Sequence, residues 1–140
     1  MDTIRKLNKW ANSHTFLPVD IIRVVLGGFL IFKGVDFTAH SNNLYEILNP
    51  LDEYIGTVLI VHYVTMAHLA GGILIVIGLI TRVAVAVQIP VLLGAIIINF
   101  VGVMNVTNLI TALVVLLLCC FFVVYGSGKH SVDYALKMQM

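Results

Sequence analysis

HYVTMAHLAGGILIVIGLITRVAVAVQIPVLLGAIIIN, residues 62–99, is a pair of apolar runs joined at a short polar break, Thr81 and Arg82. So short a connection makes the two runs antiparallel neighbours if both are helical. The first run carries His62, Thr65 and His68, then Gly71, Gly72 and Gly78; the second carries Gln88 and Asn99. Polar and ionisable groups cost free energy in hydrocarbon, so they face a protein interior or a cavity rather than lipid. The rest of the chain reads as walls, lid and anchors around this pair.

Working outward, the 140 residues are 60% hydrophobic and 11% charged, against about 25% charged in a soluble domain. The apolar residues come in runs long enough to cross a bilayer. The expected fold is all-α: an integral membrane four-helix bundle, one domain, with spans at about 18–39, 55–80, 82–103 and 107–125. An N-terminal segment, 1–17, precedes the 18–125 domain, and a polar tail, 126–140, follows it. Trp10 and Phe16 among Arg5, Lys6 and Lys9 suit a helix lying at the membrane surface. The first apolar run contains Arg23 and Lys33 and is of full span length, which favours a retained helix over a cleaved signal. With four spans, Arg5, Lys6, Lys9, Arg23, Arg82, Lys129 and Lys137 fall on one side, while the 40–54 loop, with Glu46, Asp52 and Glu53 and no Lys or Arg, falls on the other. The positive-inside rule then places both termini in the cytoplasm. The net charge of +1 gives no case for a nucleic-acid partner.

On the first span, Arg23, Gly27, Leu30 and Gly34 share a face at 100° per residue. The glycines allow a neighbouring helix to approach closely, and Arg23, near the inner end, can snorkel. Lys33 lies deeper, three residues before Asp36; it either pairs with Asp36 and faces a pocket or snorkels to the outer interface. His62 and His68 are six residues apart, about 9 Å along a helix, which is poor geometry for one metal ion or one haem iron. No metal site is expected. Each histidine either hydrogen-bonds a neighbouring helix or serves a ligand or proton relay. Gln88 and Asn99 lie within about 20° of each other on a helical wheel, on a stripe expected to face the second span as interhelical glue or as ligand-orienting groups. Gly71, Gly72 and Gly78 read as packing residues. Cys119 and Cys120, adjacent in the fourth run, form neither a disulfide framework nor a zinc pattern.

Three stretches together resemble the DoxX family of small four-helix membrane proteins. RVVLGGFLIFKG (23–34) is similar to the family's glycine-bearing first helix. HLAGGILIVIGLITR (68–82) is similar to its glycine and Thr-Arg signature, with Gly78, Thr81 and Arg82 the most specific part. The third helix from Ala84 to Ala95 shares its small residues. The KGVDF form with the YGSGKHS tail looks most like versions from Bacteroidetes-type bacteria. A lysine that family members often carry after the first helix's second glycine has no counterpart, since Asp36 and Phe37 stand there.

The resemblance implies a bacterial inner-membrane protein in a redox neighbourhood, because the family is named for the small subunit of a thiosulfate:quinone oxidoreductase. The leading expectation is a quinone-interacting subunit of a membrane oxidoreductase system. His62, His68, Lys33, Asp36, Gln88 and Asn99 would be the ligand and proton-relay candidates, with Gly71 and Gly72 leaving room for a ring. No tightly bound cofactor is expected, a quinone being the candidate ligand. The alternatives are a non-catalytic scaffold or assembly subunit, and a carrier for a small lipophilic solute. Expected partners are the lipid bilayer, a soluble or membrane oxidoreductase, and further copies of the chain in a homo-oligomer.

Overall fold

The structure, a computed structural model, describes residues 17–40, 56–101, 104–128 and 130–136. The expected surface helix before residue 17 and most of the outer 40–54 loop lie outside the described residues. Among the described residues every regular element is helical: α1 (Leu17–Ala39), α2 (Thr57–Ile77), α3 (Thr81–Val101), α4 (Val106–Tyr125) and the short α5 (Val132–Ala135). In hydrocarbon a helix satisfies its own backbone, which is why such apolar runs fold this way. Three helices are long and apolar enough to cross a membrane: Val58–Ile77, Thr81–Val101 and Val106–Tyr125. Helix α1 has 23 residues, but Asp20, Arg23, Lys33 and Asp36 interrupt its apolar character. Its outer face and those of the others carry exposed apolar side chains such as Phe32, Leu59, Ile97 and Leu117, the surface expected against lipid.

Helix boundaries follow local chemistry. Helix α2 stops at Ile77, short of the expected 80, because Gly78 adopts a left-handed conformation (φ 71°). Leu79 N–H then bonds Leu74 O at 2.9 Å and Gly78 N–H bonds Ile75 O at 3.3 Å, the Schellman closure. At the far end of α3, Asn99 Nδ2–H donates to Asn105 O (3.1 Å) and its Oδ1 accepts from Asn105 N–H (2.9 Å). Asn105 in turn caps α4 by accepting from Asn108 N–H at 3.1 Å.

The helices pair extensively as α1 with α2 and as α3 with α4; α2 meets α3 over a smaller area, and α1 only brushes α4. Lipid tails give no hydrophobic drive for helices to associate, so close packing of small residues does the holding. A Cβ added at Gly27 would lie 2.7 Å from Gly72 O and 2.7 Å from Val76 Cγ2. One added at Gly72 would lie 2.8 Å from Gly27 O and 2.8 Å from Ile31 Cγ1, so the two backbones touch through these glycines. Gly34 likewise seats Leu69. The principal core lies toward the α2–α3 turn, where Leu26, Leu30, Ile75, Val85, Cys119 and Phe122 from all four long helices are buried together. A smaller cluster around Val61, with Phe37, Val64 and Ile98, lies toward the other end.

This packing predicts a matched pair of outcomes. Gly72→Ala should lower the thermal midpoint in detergent, by the ~1–3 kcal/mol typical of overpacking. Gly28→Ala, whose Cβ meets nothing within 4 Å, should leave it unchanged. Equal midpoints for both variants would refute the backbone contact.

Candidate functional site

Two polar clusters stand out against the apolar helices. The first is at the α2–α3 turn. Arg23 is 2% exposed. Its guanidinium therefore does not snorkel, contrary to expectation: Nη2–H donates to His130 O at 2.9 Å, and Nε and Nη1 have no hydrogen-bond partner among the described residues. Asp20 lies 3.9 Å from Arg23, and its Oδ2 is 2.7 Å from His130 Nδ1. The tail folds back to make this cluster. Turning at Gly126 and Gly128, both at positive φ, it brings Asp133 under the turn. Asp133 N–H donates to Gly78 O at 3.0 Å. Its carboxylate accepts from Ile80 N–H at 2.7 Å and from Thr81 N–H at 3.3 Å.

Ile80 stands just before α3, at the N-cap position, where its carbonyl takes the Ala84 N–H. It has no side-chain oxygen to cap with, and it sits at φ 50°, a strained conformation for a β-branched residue. Asp133 supplies the missing capping oxygens from the tail. Gly78 is needed for space as well as for φ, because a Cβ there would overlap the Arg23 guanidinium. Thr81 is buried in the same turn. Arg82 reaches the other way: its Nη2–H donates to Val124 O at 3.1 Å, at the carbonyl end of α4, with Gly126 against the guanidinium. The motif residues Arg23, Gly78, Thr81 and Arg82 thus surround one clasp between the turn, α1, α4 and the tail.

The second cluster is on the α1–α2 seam. His68 is 5% exposed. Its Nδ1 is 3.0 Å from Val64 O, and its ring meets Phe37 of α1 edge-on, with centroids 5.4 Å apart. Lys33 is close enough to interact electrostatically with the imidazole. His62 is on the exposed side of α2, with Nδ1 2.8 Å from Val58 O. The structure therefore does not bring the two histidines to one site. Asp36 is 3.1 Å from His40 Nδ1 at the C-terminal end of α1. That contact replaces the Lys33–Asp36 pairing that the spacing allows.

Gln88 is fully buried; its amide N–H donates to Ala67 O, and its Oε1 has no hydrogen-bond partner among the described residues. The Gln88 side chain fills the space over Gly71, and α1 fills the space over Gly72, so neither glycine leaves room for a ring. Asn99 does not share the Gln88 environment: it faces the α3–α4 turn and ties it to Asn105. Cys119 is in the core and Cys120 is exposed, both free. No group of three or more metal-ligating side chains occurs among the described residues. Sequence reasoning missed Asp20, His130, Ser131 and Asp133. The two glycines and Ser131, whose Oγ accepts from Tyr134 N–H at 3.2 Å as the cap of α5, are the local signals of a structured tail.

Among the described residues the chain is all-helical, with three membrane-length apolar helices packed through glycines and clasped at one turn, which makes it an integral membrane helical bundle. The DoxX family model matches residues 19–101, more than half of the chain. The chain belongs to the DoxX family. The match covers α1 to α3; α4 and the clasping tail lie beyond it. No curated protein and no solved structure matches the chain.

The clasp predicts that Asp133→Ala destabilises the protein by about 1 kcal/mol, the usual scale for a lost helix cap. The thermal midpoint in detergent is the readout, and Asp133→Asn should fall between wild type and Ala. An unchanged midpoint in the Ala variant would remove Asp133 from the cap.

Proposed function

We propose that this chain is a redox-associated membrane subunit that holds the headgroup of a quinone-type amphiphile on the α1–α2 seam. The observation that carries the reading is His68, an ionisable side chain buried in an apolar helix beside Phe37 and Lys33. An intramembrane ionisable residue is by default a candidate ligand or proton site. Phe37 offers a ring edge, and His68 and Lys33 offer polar contacts to ring oxygens. Asp36 and His40, paired at the outer end of α1, are the proposed proton exit. Gln88 and Asn99 are outside this assignment, since each bonds a backbone group of its own fold. The site needs an electron donor from a partner oxidoreductase. The proposed topology is four spans in a bacterial inner membrane, with both termini in the cytoplasm, as the clustering of Arg23, Arg82 and the tail at one end supports.

A second reading, a scaffold that recruits an oxidoreductase, is favoured by one observation. Arg23, Gly27, Gly72, Gly78, Thr81 and Arg82 are all engaged in packing or in the clasp.

Mass spectrometry of the protein purified in mild detergent distinguishes the two readings. Stoichiometric quinone in wild type, lost in His68→Ala without a fall in thermal midpoint, is the expected result. A tightly bound oxidoreductase with no quinone would establish the scaffold instead. For topology, single cysteines placed in the 46–53 loop should label only from the periplasmic side; labelling from the cytoplasmic side alone would overturn the four-span arrangement.

A further inference from the structure

The two histidines of α2 share a hydrogen-bond pattern with a chemical consequence. In each, Nδ1 faces the carbonyl oxygen four residues earlier: Val58 O at 2.8 Å for His62 and Val64 O at 3.0 Å for His68. A carbonyl oxygen can only accept, so Nδ1 carries the proton in both rings. A neutral imidazole has one donor and one acceptor nitrogen, and the acceptor is therefore Nε2. For exposed His62 the choice matters little. For His68 it matters, because the ring is held against Phe37 on the α1–α2 seam with Nε2 as its acceptor nitrogen. The seam thus presents an acceptor nitrogen within electrostatic reach of Lys33, whose ammonium group can only donate.

A quinone headgroup offers carbonyl oxygens alone, which set lone pair against lone pair at Nε2. The reduced ring offers hydroxyl donors that fit it, while its second oxygen accepts from a cation. We propose that the His68 site selects the reduced, hydroxyl-bearing form of an amphiphilic ring, a quinol-type headgroup that donates its O–H to His68 Nε2. This selection rests on the quinone-type reading of the seam and adds a direction to it: the protein retains the form that carries protons. A buried donor or acceptor left unpaired is costly enough that a site built for one partner rejects the other strongly.

The test uses the full chain in lipid nanodiscs under argon, with a decyl-tailed benzoquinol and the matching benzoquinone as probes. Wild type should bind the quinol on the order of tenfold or more tightly than the quinone. His68→Gln, whose amide both donates and accepts, should bind both forms with a ratio near one. Equal or tighter binding of the quinone by wild type overturns the selection while leaving the headgroup site in place. Binding of neither form overturns the quinone-type reading and the selection with it. Nitrogen-15 spectra of labelled histidine, assigned by difference from His68→Ala, give a readout that needs no ligand. The Nδ1-protonated form is expected, and an Nε2-protonated His68 would overturn the proposal whatever the probes do.

Discussion

Two helices reach backbone contact only where neither carries a Cβ, and Gly27 against Gly72 is that place here. Much of the bundle depends on it. In lipid the association of helices rests on close packing, because no apolar surface is removed from water when they meet. The glycine contact draws α1 onto α2 and sets their register. Toward the turn it aligns Arg23 with the end of α2 at Gly78, and toward the opposite end it places Gly34 on Leu69 and Phe37 on His68. A side chain at either glycine would separate the seam and disturb both polar clusters together.

The two arginines illustrate how a membrane protein can keep a charge at the edge of its core. Each guanidinium lies near the carbonyl end of a helix: Arg82 at the end of α4, and Arg23 beside the end of α2, where it bonds the tail carbonyl of His130. Carbonyl ends of helices carry partial negative charge, so a cation is favourable there. The α3 start, which carries the opposite partial charge, receives the Asp133 carboxylate. Charges at the turn thus follow the helix dipoles. The clasp is a polar fastening at the end of a bundle whose middle is held by shape.

The helices were legible because lipid imposes one solution on a long apolar run, and the hydropathy of α2, α3 and α4 leaves little else to read. The glycine face of α1 was legible from spacing alone. Other features were not, because they depend on tertiary contact. Asn99 and Gln88 share a helical stripe, but the helix ends near Asn99, so one amide meets a turn and the other a neighbouring helix. Lys33 and Asp36 have pairing distance in sequence, but Asp36 meets His40 instead. The tail carries no apolar periodicity, and nothing in its composition says which turn it will cap. The Gly78, Thr81 and Arg82 motif was recognisable without its reason, which is a segment some fifty residues further along the chain.

The two clusters differ in where their polar groups find partners. At the turn, Asp20, Ser131, Asp133 and one arm of Arg23 find partners, and removing any of them leaves others exposed to loss. On the seam, His68 uses one nitrogen on its own helix and keeps the other as an acceptor. A leucine at position 68 would pack against Phe37 without an acceptor nitrogen, and a bundle held by glycine contacts gains nothing structural from an imidazole there. Packing alone gives no physical reason for the residue, whereas a donor arriving from the membrane would find the acceptor nitrogen of His68 there. The same reasoning leaves His62 aside, since it lies on the exposed side of α2, away from the seam.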